Sequence, residues 1–452
     1  MLDLPASFLN SISNCCGFEK ESFIESHKLD APTSIRTNPL KPVELNLSIE
    51  KNVPWNANGF YLKERPNFTH DAFFQAGCYY VQEAGSMFIQ HALLQNVDFN
   101  NQILAFDVCA APGGKSTLVN SLLNDNSVLV SNEVSKPRAD VLCQNLTKWG
   151  TSNVIVTNND PSAFSEMENV FDVIIVDAPC SGSGLFRKQH DAIYEWSVDN
   201  VNLCAQRQKR ILADVVNSLT HNGILVYSTC SYSEKENEEI ADWLINEFGL
   251  ESIKLELNPQ WGIVESIGKS NNSYGYRFYP NKTTSEGFFC TVLKKNTHGE
   301  EKRLFKKNKH ELFTELKAKE KEVFSKWLSD LENSAIIKFK DDYLLTNTLA
   351  IDFINKYSNL YFKKVGTTIG TVIKNDVIPN HDLALSIHKS NDINSFECTL
   401  EEAILFLKKE NVKIESENGW ILISYKGFGL GWIKQLGNRF NNYLPNEFRI
   451  LK

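Results

Sequence analysis

The sequence predicts an α/β chain built on a doubly wound, mostly parallel sheet, followed by a small β-rich unit at its C-terminal end. Three observations carry that expectation. Apolar, β-branched runs recur at Ile103–Val108, Val128–Ser131, Val154–Val156, Val173–Val176, Ile224–Tyr227 and Phe288–Val292. Most are bounded by Gly, Asn, Asp or Pro and separated by mixed stretches long enough for a helix, the signature of strands joined by helical crossovers. A length of 452 residues leaves room for about three domains. Charge is also unevenly spread: the chain sums to -8, yet 296–452 carries 24 basic against 21 acidic side chains and is the only net-basic part.

Each segment then has its own reason. The stretch before residue 90 precedes the first sheet strand. Residues 91–295 hold all six runs. From Glu300 to Leu331 the chain is dense in Lys and Glu, with Phe305, Leu312, Leu316, Phe324, Trp327 and Leu331 at roughly helical spacing. An amphipathic helix or helix pair is expected there, solvated on one face and docked on the other. Beyond it, short apolar runs punctuated by Gly and Asn predict the β-rich tail.

Composition excludes several classes. With 42% hydrophobic and 23% charged residues the chain is ordinary globular material, not a disordered one. No run approaches the ~18 apolar residues of a membrane span, and Met1–Pro5 lacks the basic and apolar regions of a signal peptide. The ten cysteines are scattered, without CxxC pairs, which fits reduced thiols in the cytoplasm better than disulfides or zinc. No metal site is expected.

The run Cys109-Ala110-Ala111-Pro112-Gly113-Gly114-Lys115 lies between a strand and a helix. Small residues there let backbone approach a ligand, and the helix start offers unpaired N–H groups. Glu133 follows the second strand, where an acid commonly grips ribose hydroxyls, and Asp160 follows the third, placed to accept from an adenine amine. Taken singly, each acid is more simply a helix cap or turn residue; their order along the sheet favours a nucleoside-type ligand. A phosphate-binding P-loop would need a glycine separated from Gly114 by four residues, where Cys109 stands.

Two strand ends carry cysteines, Asp177-Ala178-Pro179-Cys180 and Ser228-Thr229-Cys230. Cys78, Cys143, Cys204 and Cys290 read instead as small buried hydrophobes. A pair of strand-end thiols suits one chemistry well. Carbon 5 of cytosine is a poor nucleophile until a thiolate adds to carbon 6; it can then take a methyl group from a sulfonium donor. Asp177 is placed to hydrogen-bond the base as charge develops, and Cys180 to help release once the carbon 5 proton is gone. The target base must leave its stack, which single-stranded or loop RNA makes cheaper.

These segments resemble the Nol/Nop/Sun family of RNA cytosine-5 methyltransferases. The resemblance rests on Arg36-Thr37-Asn38, Gln82-Glu83-Ala84, Cys109 to Lys115, Pro179-Cys180 and Thr229-Cys230 followed by Glu236-Asn237-Glu238. Pro379 to Leu385, Leu430-Gly431-Trp432 and Gly437 to Pro445 resemble the bacterial F-type branch, which acts on 16S ribosomal RNA. The resemblance implies a Rossmann-like core that uses S-adenosylmethionine. It implies Cys230 as nucleophile, Cys180 as helper in release, and Glu133, Asp160 and Asp177 as donor-binding acids. It implies four parts: an RNA-binding extension at 1–90, the catalytic domain at 91–295, a charged linker and intermediate region at 296–375, and a PUA-like RNA-binding domain at 376–452. The implied partner is 16S ribosomal RNA or the 30S subunit, with no DNA or membrane, for a chain acting as a monomer. Gly85, Pro161 and Asn281 stand where the family often has Ser, Gly and His. Transfer RNA as substrate, and a catalytically idle ribosomal-RNA-binding factor, remain the alternatives.

Overall fold

Alternate residues of the same strand go to opposite faces, and that period of two sorts the core into two layers. In β1 (Leu104–Asp107), Leu104 and Phe106 join one apolar cluster while Ala105 joins the other. In β4 (Phe171–Asp177), Ile174 and Val176 pack on the first face, Val173 and Ile175 on the second. Strands covered on both sides are apolar almost throughout, which is why these segments read as unbroken runs. The computed structural model of the chain describes residues 4–296, 313–329, 334–374, 376–414 and 416–451.

The remaining strands of this sheet are β2 (Val128–Asn132), β3 (Val154–Thr157), β5 (Leu219–Thr229), β6 (Val264–Ile267), β7 (Tyr274–Phe278), β8 (Phe288–Lys294) and β9 (Phe362–Val365). Their spatial order is β6-β7-β8-β5-β4-β1-β2-β3-β9, and the short strand Glu251–Ser252 also pairs with β8. The pairs from β3 through β5 are parallel. The flanking pairs are antiparallel, so the sheet is mixed. Strand order reverses between β1 and β4, and ligands of such sheets lie at the carboxyl ends beside that reversal. Helices α1 (Gly114–Asn120) and α2 (Lys136–Trp149) cover one face through Leu118, Leu142 and Leu146. Helices α3 (Val198–Val215) and α4 (Glu238–Phe248) cover the other through Ile211, Leu212, Ile240 and Leu244.

An N-terminal four-stranded sheet docks on this core through Arg36, whose side chain is 1% exposed. Its guanidinium donates to Gln82 Oε1 (2.8 Å) and to Thr117 Oγ1 of α1 (2.6 Å), and lies over the Trp149 ring. Asn38 donates to the carbonyls of Gly77 and Trp149. Lys41 spends its ammonium on the carbonyls of Ala76, Lys148 and Leu385, tying three regions together.

The helix expected over Glu300–Leu331 is largely replaced by other structure where the chain is described; Phe305, Leu312 and Leu331 lie outside the described residues. Glu315 forms a bridge with Ile337, and only Ala318–Lys321 is α-helical, running into a tight turn at Glu322–Phe324. Packing decided this. The Leu316 N–H donates to the Ile336 carbonyl at 2.8 Å, and Phe324 and Leu328 fill a core with Ile336, Ile369 and Trp432 between two C-terminal sheets. One sheet comprises Ala335–Phe339, Asp342–Thr346, Thr367–Ile373 and Asp376–Pro379. The other comprises Ser395–Glu397, Gly419–Tyr425, Phe428–Leu436 and Arg439–Asn442. Strand β9, from the stretch read as linker and intermediate region, pairs with β3 of the catalytic sheet. No described helix is long and apolar enough to cross a membrane.

His381 sits between these layers, 6% exposed, its ring 4.3 Å from that of Phe448 and both nitrogens without a hydrogen-bond partner among the described residues. Burial pulls its pKa from 6.5 down to about 4, with Asp382 opposing and Lys148 and Lys364 assisting. Because the folded value lies below the unfolded one, stability is full above pH 6.5 and is lost as pH falls through 4. The loss by pH 4 is on the order of 3 kcal/mol. His381→Phe keeps a ring against Phe448 and is expected to flatten that part of the stability–pH curve, as read by denaturant titration at pH 4 and 7.

Candidate active site

The carboxyl ends of β1, β2, β4 and β5 converge on two neighbouring cavities. The larger, about 570 Å³, is lined by Cys109, Glu133, Asp160, Asp177 and Cys180 among others. The smaller, about 250 Å³, lies under the N-terminal sheet and is lined by Tyr80, Gln82, Glu83, Lys115, Asp177 and Phe288 among others. Cys109, Ala111, Asp177, Leu185 and Cys230 border both, so the two spaces meet at Asp177 and Cys230.

The Cys109–Lys115 loop is divided between the two cavities. Cys109 and Ala111 face both cavities, while Ala110, Pro112, Gly114 and Lys115 face the smaller one. Gly113 lines neither; it turns the chain into α1 at φ 114°, where a side chain would be strained. Burial pushes the Cys109 thiol far up, which keeps this wall neutral.

Glu133 is 2% exposed. One carboxylate oxygen accepts from the Ser135 N–H (2.9 Å); the other has no hydrogen-bond partner among the described residues, though Arg138 lies 3.3 Å away. A buried acceptor left open beside a cavity is costly unless a ligand fills it. Asp160 accepts from the Ser162 N–H (3.1 Å), and that bond, with Arg210 nearby, holds its carboxyl below the usual range. Both acids therefore do the local capping work that either would do alone, and both border the same cavity.

Asp177 ends β4. One of its oxygens accepts from Lys115 Nζ (2.6 Å), the other from Ser228 Oγ (2.9 Å). Burial works against the Lys115 charge, but the Asp177 carboxylate outweighs it and the net direction is upward. Lys115 thus keeps its charge at the cavity boundary.

Cys180 and Cys230, fifty residues apart in sequence, bring their sulfurs to 2.9 Å. Parallel pairing of β4 with β5 causes this: Asp177 stands opposite Ser228, and both strands release their chains at the same level. The bond to Cys230, together with burial, pushes the Cys180 thiol well above its ordinary value, so Cys180 keeps its proton and can donate to the Cys230 sulfur.

Sequence reasoning passed over Asp107, the last residue of β1 and fully buried. It accepts from Ser116 Oγ (2.7 Å), its other oxygen is unpartnered among the described residues, and burial raises its pKa to about 7. Its position as a strand-end acid just before the Cys109–Lys115 loop was the available signal. Tyr80, Glu286 and Phe288 of the smaller cavity had none, because they come from the N-terminal sheet and the antiparallel edge. Among the described residues no cluster of His, Cys, Asp and Glu is arranged to hold a metal ion.

A Rossmann-like mixed sheet with an open cavity at its reversal point is the architecture of a methyltransferase-type core. Comparison with known proteins agrees. Residues 93–294 match the model of 16S rRNA methyltransferase RsmB/F, residues 4–84 the N-terminal domain of 16S rRNA methyltransferase RsmF, and residues 393–450 the methyltransferase RsmF PUA domain. The chain is 30% identical to the ribosomal RNA small subunit methyltransferase F of Shewanella piezotolerans, over 99% of this chain and 98% of that one. It is 29% identical to the protein of the same name from Vibrio parahaemolyticus, covering 98% and 97%. A solved methyltransferase homolog from Pyrococcus horikoshii is 28% identical with a TM-score of 0.52, covering 65% of this chain and all of its own. NSun6 from the same organism shares the fold at 19% identity and a TM-score of 0.54, covering 65% and 99%. The chain belongs to the 16S rRNA methyltransferase F family, with an N-terminal domain, a methyltransferase core and a C-terminal PUA domain.

Proposed function

We propose that this chain transfers a methyl group from S-adenosylmethionine to carbon 5 of cytosine in RNA, with 16S ribosomal RNA as substrate, through a covalent bond between Cys230 and carbon 6. The observation that carries the reading is the pair of sulfurs 2.9 Å apart where the two cavities meet, beside Asp177. The family's relatives, named for the small ribosomal subunit, supply the choice of RNA.

The larger cavity fits the donor: the open oxygen of Glu133 suits a ribose hydroxyl, and Asp160 lies on the same wall for the adenine end. The donor supplies an electrophilic methyl group on a sulfonium. The smaller cavity, with Asp177, Lys115 and Phe288, takes the flipped cytosine. The Cys230 thiolate adds to carbon 6, and the ring electrons moved to carbon 5 form the bond to the methyl group as its bond to the donor sulfur breaks and that electron pair stays on the sulfur. Asp177, held by Lys115 and Ser228, hydrogen-bonds the base as charge develops. When a base takes the carbon 5 proton, the double bond reforms and the bond from carbon 6 to Cys230 breaks. Cys180 donates its S–H to the departing thiolate. In this reading 91–295 carries the chemistry, 1–90 and 376–452 hold RNA, and the protein works as a cytoplasmic monomer.

The test is methylation by purified protein of 16S ribosomal RNA, 30S subunits and transfer RNA, read by bisulfite sequencing. Carbon 5 methylcytosine in the ribosomal substrates supports the proposal; a methyl group on another atom, or on transfer RNA alone, overturns it. Glu133→Ala is expected to weaken S-adenosylmethionine binding by about tenfold or more, the worth of a hydrogen bond to a charged group, as measured by calorimetric titration.

A further inference from the structure

Glu236 has no part in the reaction just described, yet its side chain is 0% exposed and forms no ion pair among the described residues. A carboxylate buried without a cation is expensive and persists only when its oxygens are fully satisfied. Here four neutral donors do so. One oxygen accepts from the Ser181 backbone N–H (2.8 Å) and Gln208 Nε2 (3.2 Å); the other accepts from the hydroxyls of Ser181 (2.6 Å) and Ser231 (2.5 Å).

The identity of those donors matters. Ser181 follows Cys180 and Ser231 follows Cys230, so one side chain grips both cysteine loops one residue beyond each sulfur. Gln208 of α3, which also donates to the Pro179 carbonyl, fixes the brace from the helix layer (3.1 Å). A neutral network could hold two loops. A negative charge adds a field at Cys180, and Glu236 is among the groups that push that thiol upward, after the Cys230 contact and burial.

We propose that Glu236 is a positioning residue: it holds Cys180 against Cys230 and keeps the Cys180 proton in place for release of the methylated RNA. The inference rests on the covalent reading above and deepens it. Glu236 lines neither cavity, so its loss is expected to spare formation of the covalent bond and to slow its breakdown. A misplacement of about 1 Å at a reacting group costs on the order of 10²-fold.

The experiment compares wild type, Glu236→Gln, Ser181→Ala and Cys180→Ala in the full-length chain, with 16S ribosomal RNA and S-adenosylmethionine. Protein–RNA adduct is read on denaturing gels and its breakdown rate is followed against pH. Glu236→Gln is expected to accumulate adduct and to move the high-pH limit of breakdown to lower pH, because Cys180 then loses its proton more readily. Ser181→Ala, a milder cut in the same brace, is expected to accumulate less. Wild-type adduct levels and pH profile in both brace variants overturn the inference, as does a folded, donor-binding Glu236→Gln that forms no adduct. Should Glu236→Gln fail to fold, Ser181→Ala alone decides by the same readouts. Adduct in Cys180→Ala but in neither brace variant would defeat this inference alone. Its absence from Cys180→Ala as well would remove Cys180 from release, the part of the covalent reading on which this inference rests.

Discussion

Cys230→Ala abolishes methyl transfer while S-adenosylmethionine still binds: that is the largest effect expected of any single substitution here. Removal of an attacking nucleophile is felt at about 10⁴-fold or more, roughly 5.5 kcal/mol in the barrier. Alanine leaves the carboxyl end of β5 intact, since the Cys230 carbonyl still receives the Gly184 N–H and the Asn237 side chain still bonds Thr229 and Ser231. The donor cavity keeps Glu133 and Asp160, so titration with S-adenosylmethionine should give near-wild-type affinity. Turnover close to that of wild type would remove Cys230 from the mechanism.

Cys180→Ala is the mirror experiment. It spares attack and methyl transfer but removes the S–H that meets the Cys230 sulfur as it leaves. A positioned proton donor is worth about 10²–10⁴-fold, so breakdown should lag by that factor and the protein–RNA adduct should survive denaturing electrophoresis. A reaction mixture without the slower-migrating band, although methyl groups are transferred, would assign release to another residue.

Much of the core was legible beforehand because strands covered on both faces are apolar in almost every position. All six runs read from the sequence are strands of one sheet. That the Cys109–Lys115 loop, Glu133, Asp160 and Asp177 gather around the same two cavities follows from a related feature: in such a sheet ligands gather at strand ends, and strand ends are visible in sequence. The segment before Leu331 was misread because its spacing of apolar residues is helical, whereas its backbone donors and aromatic side chains are used by the sheets beside it. Periodicity describes a segment on its own; packing against distant residues overrides it.

Asp107 and Glu236 mark a second limit. Sequence reasoning passes over Asp107 and reads Glu236 only as part of a motif, with no role of its own; both are fully buried. Their roles come from what surrounds them, Ser116 for one and the two cysteine loops for the other.

What the sequence by itself determined is the chemistry on offer: two thiols, a strand-end aspartate and a small-residue loop ahead of a helix, on a sheet whose alternation of runs is unmistakable. Only the tertiary structure decided how those groups meet. Parallel pairing of two strands across fifty residues of chain sets the sulfurs side by side, and a buried carboxylate 55 residues from one loop spans both. Sequence spacing carries no information on such distances, because they are set by register between strands and by packing of helices across them.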